Sequence, residues 1–294
     1  MDTFTRDGLT FEVLDGGPGD GEVVVLLHGF PQDATAWDRV VPLLHAAGLR
    51  TLAPSQRGYS PGARPRRVAA YRIFELVADV VALLDAAGVE RAHVVGHDWG
   101  GGVAWALAAE HPARVASLVV LSTPHPSALR WALRHTEQGR RSWYMLAFQL
   151  PFLPERGLAR MLRSGGLRRT GLAREDGERY AARLGRAGAL RGPVNWYRAA
   201  LRPSRGGRGG RGGRGGRGGR GGRGGLAAGP VAVPTTYVWG ARDPFLGRAA
   251  AERTARHVTG EYRFVEVDSG HWLPERQPEV VAREVLARVR DFRP

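Results

Sequence analysis

The chain contains no cysteine and no lysine among its 294 residues, and it has a single isoleucine and a single asparagine. The absence of cysteine excludes disulfide bonds, thiolate metal sites and a cysteine nucleophile. No apolar run approaches eighteen residues, so a transmembrane helix is not expected. The first residues are polar and no apolar signal segment follows them. These features predict a soluble protein of the cytoplasm.

Because lysine is absent, all 43 basic residues are arginine, and the net charge is +15. Such a charge ordinarily indicates nucleic acid or a membrane surface as a partner. The composition favours a GC-rich genome as the cause of the arginine excess, because arginine and glycine have GC-rich codons whereas lysine, isoleucine and asparagine have AT-rich ones. The charge is therefore weak support for either partner, and we expect no membrane partner.

Seven of the arginines lie in residues 205–225, where Arg-Gly-Gly is repeated seven times. Glycine loses the most backbone entropy on ordering, and the tract has no apolar side chain to bury, so it predicts a disordered insertion. Arginine can contact phosphates and stack on bases, which makes RNA binding through this tract a lower-ranked alternative function. No aromatic residues separate the repeats, and nucleic acid is therefore not favoured as a partner.

Apolar runs alternate with amphipathic segments in the first half of the chain. They predict strands at residues 9–14, 22–27, 50–54, 92–96 and 114–121, and helices at residues 34–47, 71–87 and 99–110. Continuous apolar strands are typical of sheets that are covered on both faces. The alternation predicts an α/β fold with a mostly parallel, doubly wound sheet.

The alternation stops after residue 125. Residues 127–200 predict helices without a clear strand, and the pattern resumes with a strand at 235–239, a helix near 248–258, a strand at 263–267 and a helix at 278–291. A helical block inserted after the strand that ends near Leu121 predicts a cap over the carboxyl ends of the strands, where such sheets bind ligands. The predicted organisation is a core of residues 1–125 and 230–294, a cap of residues 126–204, and the tract 205–225 between them.

The strongest functional motif is Gly96-His97-Asp98-Trp99-Gly100-Gly101, between a predicted strand and a predicted helix. Small residues two positions before and after a central residue are typical of a nucleophile elbow, since the two backbones nearly touch there. The central residue is Asp98 instead of the more usual serine. A carboxylate needs no deprotonation before it attacks, which suits an alkyl carbon in an epoxide or beside a halogen. The simpler alternative is an aspartate that caps the helix.

Two further residues follow Asp98 in the order of a hydrolase triad. Asp243 follows a predicted strand, and His271 lies between the last strand and the last helix. Either residue alone would more simply be a loop residue. Their order favours a triad in which Asp243 orients His271. The loop after the second apolar strand nominates the backbone amide of Phe30 for an oxyanion hole, together with that of Trp99.

These motifs together resemble the α/β-hydrolases of the epoxide hydrolase type, over nearly the whole chain outside the Arg-Gly-Gly tract. The matching segments are residues 28–31, 57–60, 96–101, 239–243 and 270–271, with 142–145, 148–151 and 195–199 in the cap. The resemblance implies that Tyr144 and Tyr197 are the two cap tyrosines that hold the epoxide oxygen. A single tyrosine would more simply bury its ring in a helix packing. Ser55 departs from the family, in which aspartate is usual at that position.

The resemblance implies hydrolysis of an epoxide to a vicinal diol through an ester on Asp98, without cofactor or metal. The substrate, a small epoxide, would lie against Phe30, Trp99, Tyr144 and Tyr197. The alternative is a haloalkane dehalogenase, which shares the nucleophile, the histidine and the cap, and in which Trp99 would bind the halide. Such enzymes usually have asparagine in place of Phe30 and need no pair of cap tyrosines, so the epoxide reaction is favoured. The oligomeric state is left open.

Overall fold

The computed structural model describes residues 1–186, 188–202 and 228–292, so the Arg-Gly-Gly tract lies outside the described residues. The strands are β1 (Thr3–Arg6), β2 (Leu9–Gly16), β3 (Val23–Leu27), β4 (Arg50–Pro54), β5 (Ala92–His97), β6 (Val115–Leu121), β7 (Thr235–Gly240) and β8 (Tyr262–Val267). The α-helices are α1 (Val41–Ala46), α2 (Ile73–Ala86), α3 (Trp99–Glu110), α4 (Pro126–His135), α5 (Gln138–Arg141), α6 (Trp143–Ala147), α7 (Leu153–Arg163), α8 (Arg174–Leu184), α9 (Arg191–Leu201), α10 (Arg248–Arg253), α11 (Leu273–Arg276) and α12 (Pro278–Asp291).

The strands form one sheet in the order β1-β2-β4-β3-β5-β6-β7-β8. Strand β2 is antiparallel to both of its neighbours, and the pairs from β4 to β8 are parallel. Helix α2 packs with α3, and α1 with α12, so that helices flank the sheet. Every residue of β5 and β6 is buried, as expected for strands covered on both faces. The predicted α/β fold with a mostly parallel sheet is confirmed.

Strand β1 is absent from the sequence prediction. It pairs with β2 as a hairpin in which Thr3 lies opposite Glu12 and Arg6 opposite Leu9. The turn residues Asp7 and Gly8 both have positive φ, at 50° and 75°. Asp-Gly is a strong sequence signal for such a turn, so the hairpin could have been predicted from it.

Two predicted helices are wrong in extent. The single helix expected at 34–47 is a 3₁₀ turn (Ala34–Trp37) followed by α1, because Pro42 lacks an amide proton and is tolerated only in the first turn of a helix. The helix expected near 248–258 ends at Arg253. The Thr254 hydroxyl there donates to the Ala250 carbonyl oxygen at 3.1 Å, and a 3₁₀ turn follows.

Helices α4 to α9 follow β6. The described residues between β6 and residue 202, which are all except residue 187, contain no strand. Helix α9 attaches this helical block to the loop after β4, since the Trp196 indole donates to the Arg57 carbonyl oxygen at 2.8 Å. A Cβ on Gly192 would overlap Gly58, so the two backbones are in direct contact. No helix within the described ranges has the length and apolar character needed to span a bilayer.

Candidate active site

The turn between β5 and α3 holds Asp98 in a strained backbone conformation, with φ 50° and ψ −121°. A Cβ on Gly96 would lie only 2.5 Å from the Gly100 carbonyl oxygen, and one on Gly100 would overlap the Leu27 carbonyl oxygen. Glycine is therefore required on both sides of the turn. A residue at positive φ outside the usual wells is uncommon and is typical of functional sites.

Asp98 lies beside His271, with 3.6 Å between a carboxylate oxygen and Nε2. The other ring nitrogen, Nδ1, is 2.7 Å from Oδ2 of Asp243. The second oxygen of Asp243 accepts the backbone amides of Phe245 and Leu246 at 2.7 and 3.0 Å, which fixes the carboxylate. His271 and Asp243 are almost fully buried. The three residues predicted as a triad are thus brought together, although 145 positions separate the first two in the chain.

One backbone amide contacts the Asp98 carboxylate, and the amide of Trp99 directly follows Asp98 in the chain. The Phe30 amide donates to Oδ1 of Asp98 at 2.8 Å. Trp99 is the first residue of α3, and an amide at that position has no acceptor inside its own helix. His28 braces the Phe30 loop, because its Nε2 accepts the Gln56 amide at 3.1 Å. These are the two amides that the sequence nominates for an oxyanion hole, and that role stays a prediction.

A cavity of about 60 Å³ opens above Asp98 and is lined by Trp99, Tyr144, Tyr197 and Phe245 among others. Tyr144 comes from α6 and Tyr197 from α9, and their ring centroids are 6.0 Å apart. The Trp99 and Tyr197 rings are perpendicular at 4.9 Å. Of the residues predicted for the site, Asp98, Trp99, Tyr144 and Tyr197 line this cavity, and the two tyrosines come from the helical block. Phe30, Asp243 and His271 lie beside these residues and are not part of the lining.

Comparison of the sequence and the structure with known proteins identifies the family of this chain. Residues 22–278 match the family model described as alpha/beta hydrolase fold. The chain is 33% identical over 290 residues to the AB hydrolase superfamily protein YfhM of Bacillus subtilis, covering 95% of this chain and 94% of that protein. It is equally 33% identical, over 324 residues, to epoxide hydrolase A of Mycobacterium tuberculosis, with coverage of 95% and 94%. The chain belongs to the epoxide hydrolase-type α/β-hydrolases. A solved epoxide hydrolase structure from metagenomes of hot environments superposes with a TM-score of 0.79 at 26% identity, covering 98% of this chain and 97% of that one.

Behind His271 of this α/β-hydrolase lies a buried polar network that the sequence did not predict. His97 places its Nε2 2.9 Å from the His271 carbonyl oxygen and its Nδ1 2.8 Å from Gln32 Oε1. The Gln32 amide in turn donates to Glu275 at 2.7 Å. Burial lowers the pKa of His97 to about 3, so this ring is neutral at physiological pH. The network fixes the backbone that carries His271.

Two phenylalanines of the α/β-hydrolase site were also missed. Phe148 packs at 4.8 Å from the Tyr197 ring and Phe245 at 5.0 Å from the His271 ring. Phe148 follows Tyr144 by four positions, which is the spacing of one helix face, and Phe245 follows Asp243 by two. Proximity to predicted site residues was the signal that could have found them.

Electrostatics in this α/β-hydrolase favour an ion pair in the resting state. Burial opposes the charged imidazole, but the carboxylates of Asp243 and then Asp98 outweigh it and raise the pKa of His271 to about 10. Burial likewise opposes the charged form of Asp98, and His271 lowers the pKa of that carboxyl below its ordinary value. Because the His271 pKa is raised on folding, its contribution to stability is full below the ordinary histidine pKa and is lost as the pH rises through about 10.

The Asp98→Asn variant is expected to lower the pKa of His271 by roughly one unit or more, since an amide replaces the carboxylate beside Nε2. Titration of the imidazole C–H signals by NMR measures the change, with the His271→Gln spectrum identifying the resonance. Asp85→Asn removes a similar charge from the exposed end of α2 and should leave the pKa unchanged. An identical His271 titration in Asp98→Asn would contradict the ion pair.

Proposed function

We propose that this chain hydrolyses an epoxide to a vicinal diol through an ester on Asp98. The observation that carries the proposal is the Asp98 carboxylate below a cavity that Tyr144 and Tyr197 also line. A carboxylate nucleophile suits an alkyl carbon, and two phenols suit the oxygen that ring opening releases. Kinship with epoxide hydrolase A of Mycobacterium tuberculosis supports the same reaction.

In the first step the carboxylate attacks a ring carbon, and the bond from that carbon to the epoxide oxygen breaks. The oxygen receives its proton from Tyr144 or Tyr197. Burial, and then the nearby Asp98 charge, raise the pKa of both tyrosines, so that they remain protonated and able to donate at neutral pH. The product of this step is a hydroxyalkyl ester on Asp98.

In the second step His271 acts as a base towards water. Esterification removes the negative charge of Asp98, one of the two charges that raise the His271 pKa. His271 then returns a proton to the tyrosinate that the first step left, which restores the phenol and leaves the imidazole neutral. Neutral His271, oriented by Asp243, deprotonates a water that attacks the ester carbonyl carbon. The Phe30 and Trp99 amides would bind the resulting oxyanion. Its collapse breaks the ester C–O bond, the proton that His271 took from water goes to the leaving alkoxide, and the acid proton of Asp98 passes back to His271, so that the diol leaves and the ion pair is restored.

The dehalogenase alternative uses the same nucleophile and base but needs donors for a halide ion. The Trp99 and Tyr197 rings pack perpendicular to each other, with 4.9 Å between their centroids. An indole engaged with the tyrosine favours a role in positioning that phenol over halide binding. The RNA-binding alternative concerns the tract outside the described residues and stays a prediction, which a gel shift after deletion of residues 205–225 would test.

The His271→Gln variant is expected to accumulate the covalent ester, because the base for its hydrolysis is gone while the nucleophile remains. Intact mass spectrometry after incubation with epoxides and haloalkanes provides the test. An adduct equal to the whole epoxide mass supports the proposal. An adduct equal to the haloalkane less hydrogen halide, with none from any epoxide, would make the protein a dehalogenase.

The matched control is the double variant Asp98→Asn/His271→Gln, which keeps the cavity and lacks the attacking carboxylate. It should carry no adduct with any reagent. A similar adduct in both variants would place the reaction on another residue and overturn the role of Asp98.

A further inference from the structure

The outer side of α6 and the turn after it carry an exposed apolar patch, residues 143–153. Trp143 and Leu146 lie one turn apart on α6, and hydrogen bonds from the amides of Gln149 and Leu150 continue the turn towards α7. The exposed apolar side chains are Trp143 (67% exposed), Leu146 (71%), Leu150 (49%), Phe152 (67%) and Leu153 (59%). A group of this size on a soluble domain is typical of an interaction surface.

Unpaired positive charge borders the apolar patch. Arg156, Arg160 and Arg163 are exposed along α7, directly after Leu153, and Arg140 is exposed just before α6. Within the described part of the chain, none of these four arginines forms an ion pair or a side-chain hydrogen bond. The two carboxylates nearest in sequence are already engaged, Glu137 by Arg141 and Glu155 by Arg198. Residues 126–202 as a whole contain 16 arginines and five acidic residues.

We propose that this patch docks the protein on an anionic lipid surface. Tryptophan, phenylalanine and leucine beside arginine are the combination that inserts into the boundary between headgroups and acyl chains. Each arginine near such a surface is additionally attracted by the negative potential of anionic headgroups. No spanning segment is needed, so the expectation of no membrane partner, which rested on sequence alone, is revised to a peripheral contact.

The charges disfavour the other occupants of such a surface. A symmetric dimer through the patch would bring the same unpaired arginines of two copies together, and like charges at an interface are unfavourable. Single-stranded RNA would suit the arginines and could stack on Trp143 and Phe152. It offers nothing to Leu146, Leu150 and Leu153, which have no flat face for a base.

Docking would place the site close to the lipid. Tyr144 and Met145 face the cavity from the same short helix whose other side carries Trp143 and Leu146. An apolar substrate dissolved in the bilayer would thus be separated from the cavity by the thickness of α6. The docking itself does not depend on the proposed reaction, and its test needs no substrate.

The full chain is expected to co-sediment with vesicles of phosphatidylcholine and phosphatidylglycerol in equal parts, and more weakly with phosphatidylcholine alone. Trp143→Ser/Leu146→Ser should reduce the affinity for the anionic vesicles at least about tenfold. Arg156→Gln/Arg160→Gln/Arg163→Gln should reduce it by about a hundredfold and make the remaining binding less sensitive to salt. Thermal unfolding followed by circular dichroism verifies that these exposed substitutions preserve the fold.

Two matched control variants replace exposed apolar residues and exposed arginines that lie outside the patch. Leu14→Ser/Phe74→Ser replaces exposed apolar residues of the core, and Arg66→Gln/Arg67→Gln/Arg91→Gln removes three exposed charges of the core. Both controls should retain binding within about twofold of the parent, given that screened distant charges contribute little. Equal losses in patch and control variants, or no vesicle binding at all, would overturn the proposal. A dimer or an RNA complex that only the patch variants lose, without vesicle binding, would assign the surface to that partner instead.

Discussion

Replacing Asp98 by asparagine is expected to lower kcat for diol formation by at least about 10⁴-fold while the protein stays folded. The amide oxygen can still accept the Phe30 amide, and asparagine tolerates positive φ about as well as aspartate does. The amide is, however, a far weaker nucleophile than the carboxylate. The measurement is steady-state diol formation from an epoxide that forms an adduct with His271→Gln, together with thermal unfolding of both proteins.

Two further variants sharpen this result. Asp98→Ala removes any group at the elbow that could attack, and it should be as inactive as Asp98→Asn. Asp85→Asn changes an exposed carboxylate on α2 and should keep the parental kcat. Activity in Asp98→Ala within tenfold of the parent would show that Asp98 is not the nucleophile.

The double variant Tyr144→Phe/Tyr197→Phe is expected to slow ester formation by about 10²- to 10⁴-fold, the usual range for loss of a positioned proton donor. Each single variant should lose less, because the remaining phenol faces the same cavity. The ring packing is retained, since phenylalanine preserves the contacts with Phe148 and Phe245. The readout is the rate of adduct formation by intact mass in the His271→Gln background, which isolates the first step.

Tyr262→Phe is the matched control, because it also removes one hydroxyl but lies on β8, away from the cavity. It should form the adduct at the parental rate. An unchanged rate in the double variant as well would remove both tyrosines from the proton transfer and would leave ring opening to another donor.

The parts of the site that were predictable carry local signals. Gly96 and Gly100 flank Asp98 at the spacing that a tight strand-to-helix turn requires, and the structure explains why neither can carry a side chain. Asp243 and His271 were suggested by their order along the chain and by their positions after strands. The hairpin turn at Asp7-Gly8 has an equally local signal, the Asp-Gly pair itself.

The parts that were not predictable depend on contacts between distant positions. The hydrogen bond from Gln32 to Glu275 joins residues 243 positions apart, and nothing near either residue indicates the other. The same holds for the raised pKa of His271, which depends on the distances to two carboxylates. Strand order is a further example, because β3 lies between β4 and β5 although it precedes both in the chain.

The helical block leaves the sheet after β6 and rejoins it before β7, and these two strands are neighbours. The chain segments that enter and leave the block are in contact. His125 Nε2 lies 3.1 Å from the Gly229 carbonyl oxygen, and the Ser127 hydroxyl donates to the Ala228 carbonyl oxygen at 3.2 Å. In evolutionary terms, the segment between β6 and β7 could be replaced by another at this single place without a change to any strand. Since Tyr144 and Tyr197 lie inside it, such an exchange would keep Asp98 and His271 and replace both tyrosines at once. A new substrate range and a new type of leaving group would then be acquired in the same event.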